Sequence, residues 1–319
     1  MVIKNGRRIM SQAKKEFAEI ALEQAVGLLG NNLERNVKYV DVGGFRLRYV
    51  VKGDGPPVLL IHGLGEFLET WIFNIATLSG HFTVYALDLP GHGLSEGPVA
   101  DYTLGCCTHR IAVGFMEALG IEQASLIGHS LGGLVCLSMA IHFPEKVDKL
   151  VLVDSAGLSK EAPLIYRLAT LPVLGDIGLR FTIKPLIKAR MKRGFYNPEV
   201  IADEMVDLSY RFWRTPKFKQ ALSNLLKHNV NLDGVHPEVL VVDKLHMVRS
   251  PTLLIHGVQD QVIPVEYARL AYKLIPNVRC ELVDECGHCP QIEKAAQFND
   301  LVVTFLLMQR SDQYDMAFC

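Results

Sequence analysis

Ser125-Leu126-Ile127-Gly128-His129-Ser130-Leu131-Gly132-Gly133-Leu134 is the stretch that decides how this chain folds. Ser125 to Ile127 reads as a short strand, and an apolar helical pattern runs from Leu131 to Phe143. Between them Gly128 to Gly132 spells G-x-S-x-G, placed on a strand-to-helix turn. Glycines at 128 and 132, with Gly133 behind, remove the Cβ atoms that so sharp a turn would bring into collision. The turn pushes the Ser130 hydroxyl out of the sheet and sets it at the amino end of a helix. Free N–H groups and the helix field there favour a developing negative charge.

Outward from this turn, apolar runs alternate with helical patterns. The runs are Val58 to Ile61, Phe82 to Leu87, Leu150 to Val153, Thr252 to Ile255 and Val278 to Val283. Helical spacing lies at Thr103 to Leu119, Glu266 to Leu274 and Gln291 to Leu307. The alternation predicts an α/β fold whose mostly parallel sheet is covered by helices. Val37 to Val42 and Phe45 to Val51, joined at Gly43-Gly44, read as an opening antiparallel hairpin that makes the sheet mixed. From Ala156 to about His246 no strand recurs, and short helices broken by Pro163, Pro172, Gly175, Pro185 and Pro198 are expected. Such an insertion makes a helical cap over the carboxyl ends of the strands, where open α/β sheets bind ligands. The expected organisation is an N-terminal helical extension over 1–36, a core over 37–155, the cap over 156–245 and the second part of the core over 246–319.

Composition narrows the classes. Of 319 residues, 49 % are hydrophobic and 21 % charged, enough for a large core. A net charge of −1 argues against a nucleic-acid partner. Seven cysteines without framework spacing suit reduced thiols in a cytoplasm. The opening MVIKNGRR leads into no apolar signal-peptide core, and no run reaches a spanning length. From Ser11 to Gly30, Ala13, Phe17, Ile20, Ala21 and Leu28 fall on one helical side. That helix is expected to pack on the core or on a second subunit, the oligomeric state being open. The alternative is a weak membrane-surface anchor, with Lys4, Arg7, Arg8, Lys14 and Lys15 meeting anionic lipid.

A serine hydroxyl needs a base to become a nucleophile. Among 11 histidines, His288 sits in Glu285-Cys286-Gly287-His288, between the last strand run and the final helix, and can be carried to the top of the sheet. His129 neighbours Ser130, but its side chain should point away and pack beside the turn. The base needs a carboxylate behind it. Asp260, after the strand Thr252 to Ile255, fits the chain order serine, acid, histidine, and Asp154 is the rival. An oxyanion hole needs two backbone N–H groups: that of Leu131, after the serine, and that of Leu64 in His62-Gly63-Leu64-Gly65. No cofactor or metal is called for. Cys286 and Cys289 form C-x-x-C around the base, yet two thiols and an engaged histidine make a poor zinc site, so they are expected to pack, as are Cys106 and Cys107.

These parts, in this order, resemble the α/β-hydrolase superfamily. The resemblance rests on His62-Gly63, Asp88-Leu89-Pro90-Gly91-His92-Gly93-Leu94-Ser95, Gly128 to Gly133, the loop ending in Asp260, and Gly287-His288, and spans about residues 37 to 319. It implies a serine hydrolase taking a small hydrophobic acyl substrate, ester or thioester, and a structural role for Asp88 to Ser95. Serine at 130 speaks against dehalogenase and epoxide hydrolase chemistry, which needs a carboxylate nucleophile. The helical cap also resembles C–C hydrolases of vinylogous diketones, many of which carry tryptophan after the histidine. Cys289 stands there instead, so ester cleavage ranks first. A ligand-binding protein with weak turnover is the third alternative. In the cap, Lys184, Lys188, Arg190, Lys192 and Arg193 interleave with Ile183, Leu186, Ile187 and Met191. The run reads as a solvated face, with a surface for anionic lipid or an acidic substrate as the alternative. Arg211, Trp213 and Arg214 are candidates to line the pocket or to pack.

Overall fold

The structure, a computed structural model, describes residues 37–97, 108–162, 164–171 and 182–309. The expected helix at Ser11 to Gly30 lies outside these residues, as do Cys106, Cys107, Pro163, Pro172 and Gly175.

The main sheet comprises β1 (Val37–Val42), β2 (Phe45–Lys52), β3 (Pro57–Ile61), β4 (Thr83–Leu87), β5 (Ala124–His129), β6 (Val147–Val153), β9 (Thr252–Gly257) and β10 (Val278–Val283). Their spatial order is β1-β2-β4-β3-β5-β6-β9-β10. From β4 through β10 the neighbours pair in parallel, and β2 lies antiparallel to β4. This is the mostly parallel α/β sheet that the alternation predicts, in the α/β-hydrolase fold that the resemblance implies. The central strands β3, β5 and β9 are buried almost throughout, which is why their sequences read as continuous apolar runs rather than alternations. At the hairpin, Gly43 and Gly44 have φ of 58° and 86°. Positive φ at both central residues is the type I′ geometry that suits the right-handed strand twist.

The helices around the sheet are α1 (Ile72–Leu78), α2 (Thr108–Ala118), α3 (Leu131–His142), α8 (Glu266–Leu274), α9 (Pro290–Glu293) and α10 (Ala295–Leu307). Helix α3 is buried at every position from Leu131 to Ile141, so it lies in the core rather than over it. Lys149, on β6, is buried and spans the gap to the end of α10, its Nζ donating to the carbonyls of Leu306 (2.7 Å) and Met308 (2.5 Å). A cation there meets the carbonyls that a helix end leaves without partners.

Between β6 and β9 lie α4 (Leu164–Ala169), α5 (Lys184–Gly194), α6 (Asp203–Trp213) and α7 (Pro216–Asn229). Two features depart from the sequence expectation. A small hairpin of β7 (Val230–Asn231) and β8 (Gly234–Val235) occurs where no strand is expected, because two residues per strand are too few to show a period. Pro185 and Pro198 open helical turns instead of breaking them. At the first turn the missing N–H has no helical partner to lose.

Below the site, Arg48 is buried against two carboxylates. Its Nε donates to Asp88 Oδ2 (2.6 Å), and its Nη1 and Nη2 clasp Glu69 (2.9 and 2.7 Å). Burial alone would lower the guanidinium pKa, but Asp88 and Glu69 outweigh it and raise it. Asp88 also accepts the N–H groups of Leu68 and Leu94 (both 2.8 Å), which ties the loop after β4 to the loop after β3.

Candidate active site

Ser130 joins β5 to α3 with φ 51° and ψ −114°, a left-handed conformation that a residue with a Cβ adopts only under constraint. Such strain costs on the order of 1–3 kcal/mol and persists where surrounding contacts over-determine it. Here Ser130 N donates to Val153 O (2.9 Å), while Ser130 O accepts from Gly133 N and Ala156 N (both 3.0 Å). A Cβ at Gly128 would collide with the Gly132 carbonyl, and one at Gly132 with the Ile61 carbonyl. The glycines are therefore required by backbone packed against backbone.

His288 lies on the loop from β10 to α9, and its Nδ1 stands 2.7 Å from Asp260 Oδ2. The loop after β9 turns back so that Asp260 Oδ1 accepts from Val262 N (2.6 Å) and Ile263 N (3.1 Å), leaving Oδ2 for the histidine. Burial pushes the Asp260 carboxyl up, but His288, His256 and the Val262 amide together hold it down at about 2. Asp154, with φ 43°, accepts from Gly257 N (3.1 Å) and lies 3.4 Å from His256 Nε2. Burial first, then the charge of Asp260, pushes its carboxyl well above the usual range and so favours its protonated form. Of the two acids weighed from sequence, Asp260 is the one that meets His288.

The loop after β3 forms a type II turn from Gly63 to Glu66, closed by Glu66 N to Gly63 O (3.2 Å), with φ 77° at Gly65. The carbonyls of this turn are fixed one by one. His62 Nδ1 bonds Gly63 O (2.8 Å) while its Nε2 accepts from Leu89 N (3.0 Å), so the ring is neutral. Burial accordingly lowers its pKa. Arg190 Nη2 donates to Leu64 O (3.1 Å) and Trp213 Nε1 to Gly65 O (2.9 Å). The Arg190 guanidinium lies 4.2 Å over the Trp213 ring. Among the described residues the N–H groups of Leu64 and Leu131 have no acceptor.

In the sequence Arg190 belongs to a basic run expected to form a solvated face. The run divides: Lys184 pairs with Asp207 and Lys188 with Asp203, while Arg190 turns inward to the loop. Helical spacing alone does not say which cation of the run faces the core. Trp213 is half-buried beside it, whereas Arg211 and Arg214 are exposed.

Two further residues, Glu66 and Glu293, join the site without belonging to any sequence motif that points to it. Glu66 Oε2 accepts from Gly63 N (2.8 Å) and stands 2.9 Å from His129 Nδ1. Glu293 Oε1 accepts from Gly287 N (2.7 Å) and its Oε2 from Tyr196 N (2.8 Å), which binds the histidine loop to the segment after α5. His288 N itself donates to Gly194 O (2.7 Å) at the end of α5. Cys286 and Cys289 are buried free thiols, and burial raises the pKa of each. The donor atoms of Glu66, His129 and Cys289 lie within 4.8 Å of one another, but a thiol kept protonated is a poor metal ligand.

A strained serine at a strand-to-helix turn, a histidine–aspartate pair and two free amides beside the serine define a hydrolase of the α/β type. The chain belongs to the alpha/beta hydrolase fold family, whose model matches residues 56–295. It is 31 % identical over 298 residues to an uncharacterized protein of Mycobacterium tuberculosis, covering 88 % of this chain and 84 % of that protein. It is also 31 % identical over 273 residues to the 2-hydroxymuconate semialdehyde hydrolase of Pseudomonas sp. strain CF600, covering 82 % and 91 %. A solved candidate lipase from Acinetobacter baumannii AYE superposes with a TM-score of 0.73 at 26 % identity, over 91 % of this chain and 95 % of that one. No helix among the described residues is long and apolar enough to cross a membrane.

Proposed function

We propose that this protein cleaves a carboxylic ester or thioester through an acyl-enzyme, with Ser130 as nucleophile, His288 as base and Asp260 as its acid. The observation that carries this is the 2.7 Å bond from His288 Nδ1 to Asp260, whose other oxygen is saturated by two amides. The aspartate thus holds the proton on Nδ1 and leaves Nε2 bare to act as base. Ser130 Oγ bonds to the carbonyl carbon as its proton passes to His288 Nε2. The oxyanion is met by the amides of Leu64 and Leu131. His288 then protonates the leaving oxygen or sulfur as its bond to carbon breaks. Water, deprotonated by the same nitrogen, releases the acid and restores Ser130.

The segment over 156–245 serves as the cap, a role supported by Arg190, Gly194 and Trp213 touching the loops of the site. A small hydrophobic acyl group and a cytoplasmic setting are the corresponding substrate and location, the latter supported by free thiols at Cys136, Cys280, Cys286 and Cys289.

A second reading is C–C bond hydrolysis of a vinylogous diketone bearing a carboxylate. It is favoured by the 2-hydroxymuconate semialdehyde hydrolase relative and by Arg190, which among the described residues meets no carboxylate. Turnover of a p-nitrophenyl ester chain-length series beside one dienol-diketone separates the two. Ser130→Ala should abolish turnover and fluorophosphonate labelling with the fold intact. Retained turnover would refute the assignment, and an unreactive wild-type Ser130 would favour a ligand-binding role.

A further inference from the structure

We propose that Glu66 and His129 are positioning residues that lock the oxyanion loop to the loop carrying His288, keeping both in register around Ser130; this rests on the roles proposed above. His129 is fully buried, and its ring spans two segments distant in sequence. Nδ1 stands 2.9 Å from Glu66 Oε2, and Nε2 2.7 Å from the backbone oxygen of His288. A carbonyl oxygen only accepts, so Nε2 carries a hydrogen. Glu66 Oε2 also accepts from Gly63 N (2.8 Å), so one carboxylate oxygen gathers the start of the oxyanion turn and the histidine ring. The connected path runs from Gly63 N through Glu66 and His129 to His288 O, and His129 is itself the residue before the serine.

The seating is close. A Cβ placed on Gly63 would lie 3.0 Å from Glu66 Oε2, 3.0 Å from His129 Nδ1 and 3.1 Å from Ser130 Cβ. The turn therefore rests directly on the pair, and the pair sets where the next amide, Leu64 N–H, points. The rings of His129 and His288 have centroids 4.8 Å apart, so the same ring also backs the base. Burial works against charge on both partners, yet Glu66 holds the His129 pKa up and His129 holds the Glu66 carboxyl down at about 2. The two form an imidazolium–carboxylate pair with no net charge to impose on His288. Both ring nitrogens of His129 are engaged, so it moves no proton to substrate; it acts through the loops it joins.

The chemistry supplies its own control. In Glu66→Gln one atom must still serve both contacts made by Oε2: an amide oxygen there keeps the bond from Gly63 N but meets the lone pair of Nδ1 once His129 is neutral. Nε2–H still reaches His288 O, so this variant keeps both ends of the path and cuts only the link between Glu66 and His129. Glu66→Ala and His129→Ala each remove an end as well. The experiment measures kcat, KM and Tm with a p-nitrophenyl ester for wild type, these three variants and Ser130→Ala. His129→Ala and Glu66→Ala are expected to lose about 100-fold in kcat, the scale of a 1 Å misplacement. KM should move less than about threefold, because substrate binding by the cap is untouched. Glu66→Gln, which keeps the bond from Gly63 N, should fall between wild type and Glu66→Ala. Folded His129→Ala or folded Glu66→Ala with wild-type kcat would overturn the proposal. If His129→Ala does not fold, the two Glu66 variants decide, since that side chain is 23 % exposed. Wild-type turnover lost in Ser130→Ala, with kcat unchanged in the positioning variants, removes the lock alone. No wild-type turnover removes both proposals.

Discussion

Replacing Asp260 by asparagine tests the base most sharply. The geometry dictates how the amide sits. Val262 N and Ile263 N, at 2.6 and 3.1 Å, both donate to Oδ1, so the asparagine oxygen must occupy that position. Flipping it would press an NH2 group against two N–H donors and leave two partly buried amides unpaired, at up to about 1–3 kcal/mol each. The amide nitrogen is thereby forced toward His288 and donates to Nδ1. The ring must then carry its own proton on Nε2, the nitrogen meant to accept from Ser130. The loss expected from a wrong tautomer is about 10⁴-fold in kcat, or about 5.4 kcal/mol of barrier. Steady-state hydrolysis of a p-nitrophenyl ester, with Tm recorded alongside, measures it. Activity above about a tenth of wild type in folded protein would refute this orientation, since it would leave the tautomer unimpaired.

The rival acid gives the complementary case. Burial and the Asp260 charge favour the protonated form of Asp154, which Asp154→Asn mimics while still accepting from Gly257 N, so kcat should stay within about fivefold, about 1 kcal/mol. A thousandfold loss there would transfer the role to Asp154. Stability should show the Glu66–His129 pair as a pH window. Glu66 is depressed, so its contribution is complete above its ordinary value of 4.5 and lost as pH falls toward about 2. His129 is raised, so its contribution is complete below its ordinary 6.5 and lost as pH rises through its folded value. The Tm advantage of wild type over Glu66→Gln should therefore be widest between pH 4.5 and 6.5; a gap flat with pH counts against the ion pair. Finally, Lys149→Met removes the cation from the end of α10 and should cost about 2 kcal/mol, the scale of a hydrogen bond to a charged group. Thermal melting measures that cost, and an unchanged Tm would show the cap to be idle.

The features visible in sequence are those whose cause is local. Continuous apolar runs mark β3, β5, β6 and β9 because burial on both faces leaves no polar alternation to hide them. The turn at Ser130 is visible because backbone meeting backbone at Gly128 and Gly132 admits no side chain, which puts the constraint into the motif itself. What is hidden depends on where distant segments meet. Asp154 and Asp260 both follow strands, and only the tertiary contact of Asp260 with His288, against the deep burial of Asp154, distinguishes them. Glu66 bonds a residue 63 positions away and His129 one 159 positions away, so no window of sequence contains the path. Arg190 differs from Lys184 and Lys188 only by its angle around α5, and that angle acquires meaning when Leu64 O lies opposite.

Intact-protein and peptide mass spectrometry after brief exposure to a fluorophosphonate tests the central claim most directly. One adduct per chain, on the peptide holding Ser130, absent from Ser130→Ala and formed far more slowly by His288→Ala, is the predicted result. An unmodified Ser130, or an adduct on another residue that tracks the loss of turnover, would contradict the account.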